Sequence, residues 1–194
     1  GAAARFNYPA KIDMAGSSMI VADNANHLLR TVTIGGVVTT LAGNRNQGSV
    51  DGVGAAAGFS SPWALAVFGA ETAYVFDTGS ARVRMADIGT RAVTTMPSLP
   101  NRFWCQAMAA TATRVYFLDQ NQRKIFATVD ASDGSKGMVH VAGGGSYGCS
   151  DGELAYAAFA NPLALAADAE GTLYVFDSTN GGFVNIRRVH VGSG

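Results

Sequence analysis

The sequence predicts an all-β protein, a β-propeller of about four small antiparallel sheets, and three observations predict it. One pattern recurs four times along the 194 residues. Each full recurrence holds four short apolar runs rich in Val, Ile, Leu, Tyr and Phe, bounded by Gly, Asn, Asp or Ser. No segment sustains a helical period. Four short strands per repeat read as a propeller blade. One blade cannot bury both faces of its sheet, so blades must stack on neighbours.

The first blade, about residues 5–50, opens with Phe6-x-x-Pro9. It continues through 18–23 (SMIVAD), 24–33 (NANHLLRTVT) and 37–43 (VVTTLAG). The second, about 58–97, repeats this as Phe59-x-x-Pro62, TAYVFD (72–77), TGSARVRMA (78–86) and AVTTM (92–96). The third, about 102–143, begins at Phe103 with Gln106 in the expected proline place, then runs RVYFLD (114–119), 120–129 and MVHVAG (138–143). The fourth, about 158–191, has Phe159-x-x-Pro162, TLYVFD (172–177) and 178–189, and stops where its last strand is due. The phenylalanines lie 53, 44 and 56 residues apart, while Asp51 and Asp151, Pro62 and Pro162, and Asp77 and Asp177 each lie 100 apart. Long and short repeats therefore alternate, with constant blades and variable loops.

Asp23-Asn24-Ala25-Asn26-His27-Leu28 resembles the Asp-x-x-Asn-His-Leu signature of the NHL repeat. Asp77-Thr78-Gly79-Ser80 and Asp177-Ser178-Thr179-Asn180 resemble it more loosely, and the likeness extends to Thr40-Leu41-Ala42-Gly43 and the Asp-Gly linkers. The chain is thus similar to NHL-repeat propellers over nearly its whole length. That resemblance implies rings of five or six blades, so residues 1–194 read as one propeller domain that is part of a larger ring. An open arc would expose apolar blade faces and unpaired edges, through which copies could self-associate.

Composition narrows the function. Lys plus Arg equals Asp plus Glu, 14 against 14, which disfavours nucleic acid as a partner, since phosphate neutralisation needs a basic excess. No apolar run approaches the roughly 20 residues of a membrane-spanning helix, and no signal peptide is visible. Cys105 and Cys149 are candidates for one disulfide, with two partly buried free thiols as the alternative. The cysteine pair and low lysine content lean toward an extracellular or surface-exposed setting.

The recurrent Asp23, Asp77, Asp119 and Asp177 could suggest calcium, but the same place in every blade, at a strand end before a turn, assigns them to backbone capping. His27, His140 and His190 fall on a turn, an outer strand and the end of the chain, so they form no zinc site. The inner strands AKID (10–13), ALAV (64–67), AMAA (107–110) and ALAA (164–167) offer only Lys11 and Asp13 as polar groups, too few for a catalytic pocket. Gly143-Gly144-Gly145-Ser146 lacks the Gly-Lys-Ser/Thr of a phosphate loop and reads as a blade linker. No catalytic, metal or cofactor residue is therefore assigned.

What remains is a face near the Phe-x-x-Pro and NHL-like turns, carrying Tyr8, Trp63, Arg82, Arg102, Trp104 and Arg123. Aromatics and arginine are enriched at interface hot spots. The reading is a non-enzymatic scaffold that recognises a protein or peptide on one face; the structural alternative is that the tryptophans wedge between blades. Two other functions stay open: a lyase- or lactonase-like propeller enzyme with its catalytic residues in further blades, and RNA binding on a basic face.

Overall fold

The computed structural model of the chain describes residues 4–130, 136–148, 150, 156–179 and 182–191. The fold is all-β, a four-bladed propeller arrangement of small antiparallel sheets. The chain divides into two compact units, Gly1–Met96 and Pro97–Gly194, each containing two blades.

In the first unit, blade one is β1 (Pro9–Ala15), β2 (Ser18–Asp23), β3 (Leu28–Thr33) and β4 (Val38–Ala42), paired in chain order. Blade two has five strands. A two-residue β5 (Gly52–Val53) adds to the outer edge of β6 (Pro62–Phe68), β7 (Thr72–Asp77), β8 (Arg82–Asp87) and β9 (Ala92–Thr95) by pairing with β9. The linker thus holds a strand at Gly52–Val53, which the repeat pattern did not foretell because two residues carry no periodicity.

In the second unit, blade three is β10 (Cys105–Ala110), β11 (Val115–Asp119), β12 (Lys124–Asp130) and β13 (Lys136–Ala142). Blade four, among the described residues, is the three strands β14 (Pro162–Ala167), β15 (Thr172–Ser178) and β16 (Val184–His190).

The register corrects the alignment of blade three. Pro9, Pro62 and Pro162 each lie opposite the repeat aspartate, and each is followed by a one-residue bulge. In blade three the residue opposite Asp119 is Cys105, again followed by a bulge. Cys105, not Gln106, therefore occupies the proline place, and Phe103 sits one residue closer to its strand than Phe6, Phe59 and Phe159 do to theirs.

Each unit buries one core between its two blades. In the first, Ile20, Ala22 and Leu29 of blade one join Leu65, Val67 and Val75 of blade two in one cluster. In the second, Tyr116, Leu118 and Ile125 of blade three join Leu165, Leu173 and Val175 of blade four. Each fully buried aliphatic side chain of this kind is worth roughly 1.5–3 kcal/mol. Stacking is therefore what makes short, two-sided sheets stable.

The glycine ending each TLAG-like strand is required by a close approach. A Cβ on Gly43 (φ 99) would lie 2.5 Å from the His27 carbonyl oxygen, and one on Gly143 (φ 92) would lie 2.3 Å from that of Arg123. His27 and Arg123 are the left-handed residues (φ 56 and 54) that close the second hairpin turn of their blades. The turn thus bends back against the outer strand, and only glycine leaves room.

Candidate functional site

The four repeat aspartates are fully buried, and their carboxylates tie strand ends to loops. Asp23 accepts the Asn7 N–H at 2.8 Å and the Asn26 side-chain amide at 2.9 Å. Asp77 accepts the Ser60 N–H at 2.7 Å and the Ser80 hydroxyl at 2.6 Å. Asp177 accepts the Ala160 N–H at 3.1 Å and the Asn161 N–H at 2.8 Å. Asp119 accepts the backbone and side-chain N–H groups of Gln122 at 2.9 and 2.7 Å. The role is structural, but it reaches further than the turn: the carboxylate also clamps the segment entering the first strand, at Trp104 in blade three. Burial pushes the Asp77 and Asp119 carboxyls above their ordinary range, opposed by these hydrogen bonds.

Sequence reasoning missed a second recurrent group. Arg30, Arg84 and Arg187 occupy one position, opposite Val21, Val75 and Val175 on the second strand. Their guanidinium carbons lie 5.6, 5.2 and 5.2 Å from the ring centroids of Phe6, Phe59 and Phe159. Arg84 is fully buried and donates to the carbonyls of Gly58 (2.8 Å) and Val50 (2.9 Å) and to Asp51 (2.9 Å). Arg187 donates likewise to the carbonyls of Ala158 and Ser150, one hundred residues further on. In blade three the position is Phe126, which packs edge-on against Phe103 with centroids 5.9 Å apart. The signal was present as arginine seven residues after Asp23 and Asp77. The longer turn after Asp177 moves the match to Arg187 and hides it.

The six face candidates fall on both units. In the first unit, Tyr8 and Trp63 stack with ring centroids 6.4 Å apart and planes 28° apart. Trp63 is the half-buried bulge residue between Pro62 and Ala64, and a bulge re-aims a side chain out of the ladder. Tyr8 is 66% exposed and holds φ 52 directly before Pro9. A bulky residue in the left-handed region is strained by roughly 1–3 kcal/mol, and the equivalent residues Ser61 and Asn161 are small and polar. Arg82 is exposed and donates to the Ser49 hydroxyl at 3.2 Å.

In the second unit, Trp104 is 37% exposed and its carbonyl accepts the Gln120 N–H. It occupies the same position as Tyr8 and Ser61, so Trp63 and Trp104 are not equivalent. Arg102 is exposed, with φ 59. Arg123 is half-buried: its Nε donates to the Ala160 carbonyl at 3.0 Å and its guanidinium lies 5.5 Å from the Tyr147 centroid. It ties blade three to blade four, as His27 ties blade one to blade two by accepting the Ser61 N–H at 3.1 Å.

The polar pair of the inner strands divides the same way. Lys11 is exposed, whereas Asp13 accepts the N–H groups of Met14 and Val67, both at 2.8 Å. Cys105 is buried and its thiol donates to the Ala107 carbonyl at 3.3 Å, while Cys149 lies outside the described residues. His140 packs against Phe126 on β13. Among the described residues, no three His, Cys, Asp or Glu side chains gather as metal ligands, and no helix is long and apolar enough to cross a membrane.

No protein-family model matches the chain, and no curated protein matches it. Solved propellers do. The chain is similar to an auxiliary nutrient binding protein from Bacteroides ovatus, at 15% identity and a TM-score of 0.65, covering 94% of this chain and 47% of that one. Virginiamycin B lyase from Staphylococcus aureus aligns at 10% identity and a TM-score of 0.57, covering 94% and 55%. A chain of a nidogen–laminin complex aligns at 12% identity and a TM-score of 0.60, covering 96% and 65%. The chain spans about half the length of the first two and two thirds of the third. At these identities the likeness shows the fold.

Proposed function

We propose that residues 1–194 form part of one propeller of NHL-type blades acting as a non-enzymatic scaffold, which recognises a protein or peptide through one face. The observation that carries this reading is the Tyr8–Trp63 pair. A stacked aromatic pair, largely exposed at Tyr8 and placed on a strained backbone where blade two has serine and blade four asparagine, is more than folding requires. Arg82 is a further exposed candidate of this unit, and on the other unit Arg102 and Trp104 are exposed candidates of the same kind, with Arg123 half-buried beside blade four.

The solved neighbours include proteins named for binding as well as lyases, and the groups that this chain buries favour the first class. Asp13 and the four repeat aspartates direct their carboxylate oxygens at N–H groups that fix strand ends and loops.

Selection of a displayed peptide library on the intact chain tests the proposal. Peptides so selected should lose tenfold or more in affinity, about 1.4 kcal/mol, on Tyr8→Ala or Trp63→Ala. Equal affinity for the intact chain and both variants would remove the proposed anchor.

A further inference from the structure

The turn that joins β2 to β3 grips blade two beside the Tyr8–Trp63 pair. The Asn24 side-chain amide donates to the Pro62 carbonyl at 3.0 Å, and His27 Nδ1 accepts the Ser61 N–H at 3.1 Å. Ser61 holds φ 63, and Trp63 bulges out of the ladder two residues later. The Ser61 carbonyl is tied within blade two, to the Thr78 N–H at 3.2 Å, so its N–H is the group that reaches blade one. Blade one thus holds, at two points, the backbone that presents Trp63 to Tyr8.

The second unit makes the same grip with different chemistry. Arg123 follows Asp119 as His27 follows Asp23, and its Nε donates to the Ala160 carbonyl at 3.0 Å. Gln120 stands where Asn24 stands, and its amide donates to Asn161 Oδ1 at 2.9 Å. A guanidinium stays charged and donates at any ordinary pH. An imidazole nitrogen accepts only while it carries no proton, and imidazole changes charge between about pH 5 and 8. Of these two grips, only that of blade one can be switched by a proton.

We infer that His27 is a pH-sensitive latch between blades one and two: its protonation releases the Ser61 N–H and with it the fixed placement of Trp63, so that recognition at the Tyr8–Trp63 pair weakens in acid. Regulation of recognition rests on the peptide reading of that pair; the latch itself does not. The His27 ring is half-buried, so a proton reaches it without unfolding. Asp77, on which Arg84 also acts, faces it from the end of β7 and favours the protonated form. Asp23, in the ring's own turn, is taken up by Asn7, Asn26 and Arg30. The end of β4 and the segment 59–63 bring no charge.

Heteronuclear NMR of the intact chain tests the latch and needs no variant. At neutral pH, His27 Nδ1 should carry no proton, and on acidification the Ser61 amide should shift with the same midpoint as the imidazole. An Nδ1–H tautomer at neutral pH, or a Ser61 amide that does not follow His27, would overturn the latch. Affinity for a library-selected peptide then tests the consequence. It should fall about fivefold from about pH 7.5 to about pH 5, roughly the worth of one hydrogen bond. In His27→Gln, whose amide oxygen accepts without titrating, the fall should be less than about twofold. That variant keeps Asp77, His140 and His190, so an equal fall in both proteins would assign the effect to those groups and overturn the regulation. Failure to select any peptide would remove the recognition reading and the regulation with it, while the amide titration still decides the latch.

Discussion

Blade two and blade three solve one packing problem in opposite ways. In blade two the position facing the phenylalanine is Arg84, fully buried, with its two terminal nitrogens on two backbone carbonyls and Asp51. In blade three it is Phe126, against Phe103. The difference follows the connection that enters the blade. A long linker, residues 43–58, wraps onto blade two and brings carbonyls that need donors, and the linker before blade four meets Arg187 the same way. Blade three is entered by the short stretch 96–102, and an apolar ring fills the place. A buried guanidinium is tolerated where unpaired carbonyls would otherwise be buried with it.

This comparison can be broken most forcefully by exchanging the solutions. Phe126→Arg would bury a charge where no linker carbonyl waits, and Arg84→Met would strand the Gly58 and Val50 carbonyls. Each should cost about 3–5 kcal/mol in urea unfolding. A loss under about 1 kcal/mol for Arg84→Met would mean that the linker does not depend on it. Gly143→Ala should cost about 2 kcal/mol, because its Cβ would meet the Arg123 carbonyl and its φ is positive.

The next effect is one of pH. Burial raises the folded-state carboxyls of Asp77 and Asp119 above the ordinary value of 3.8. The folded protein therefore holds protons that the unfolded chain has released, so their contribution to stability is greatest below that value and falls as pH rises toward the raised ones. Asp77→Asn removes one such group. The stability difference between intact chain and variant should shift in the variant's favour as pH rises above about 4, and a constant difference would contradict the assignment. Smallest is Tyr8→Asn, which puts the blade-four residue in place of the strained tyrosine. It should leave stability unchanged or raise it by up to about 1 kcal/mol while weakening ligand binding, as expected where function holds strain.

The blades were legible because aspartate, proline and phenylalanine recur at fixed offsets from alternating strands. The arginines escaped because Arg187 lies behind a longer turn and Phe126 breaks the series. The one-residue shift at Cys105 was invisible for a related reason. A bulge follows the first residue in every blade, and Phe103 and Gln106 keep the spacing of the motif without its register. Of the six face residues, chemistry alone separated none. Only the structure pairs Tyr8 with Trp63 across two blades and commits Arg123 to the Ala160 carbonyl.

The central claim is that the Tyr8–Trp63 pair acts as one recognition element. A double-mutant cycle on the binding of a library-selected peptide, with Tyr8→Ala, Trp63→Ala and the double variant, tests it directly. Each single change should weaken binding at least tenfold, and the double change should cost less than the sum by roughly 0.5 kcal/mol or more, the coupling of contacting residues. Unfolding free energies should meanwhile change by less than about 1 kcal/mol. Small, additive losses, or affinity lost only in step with folding, would contradict it.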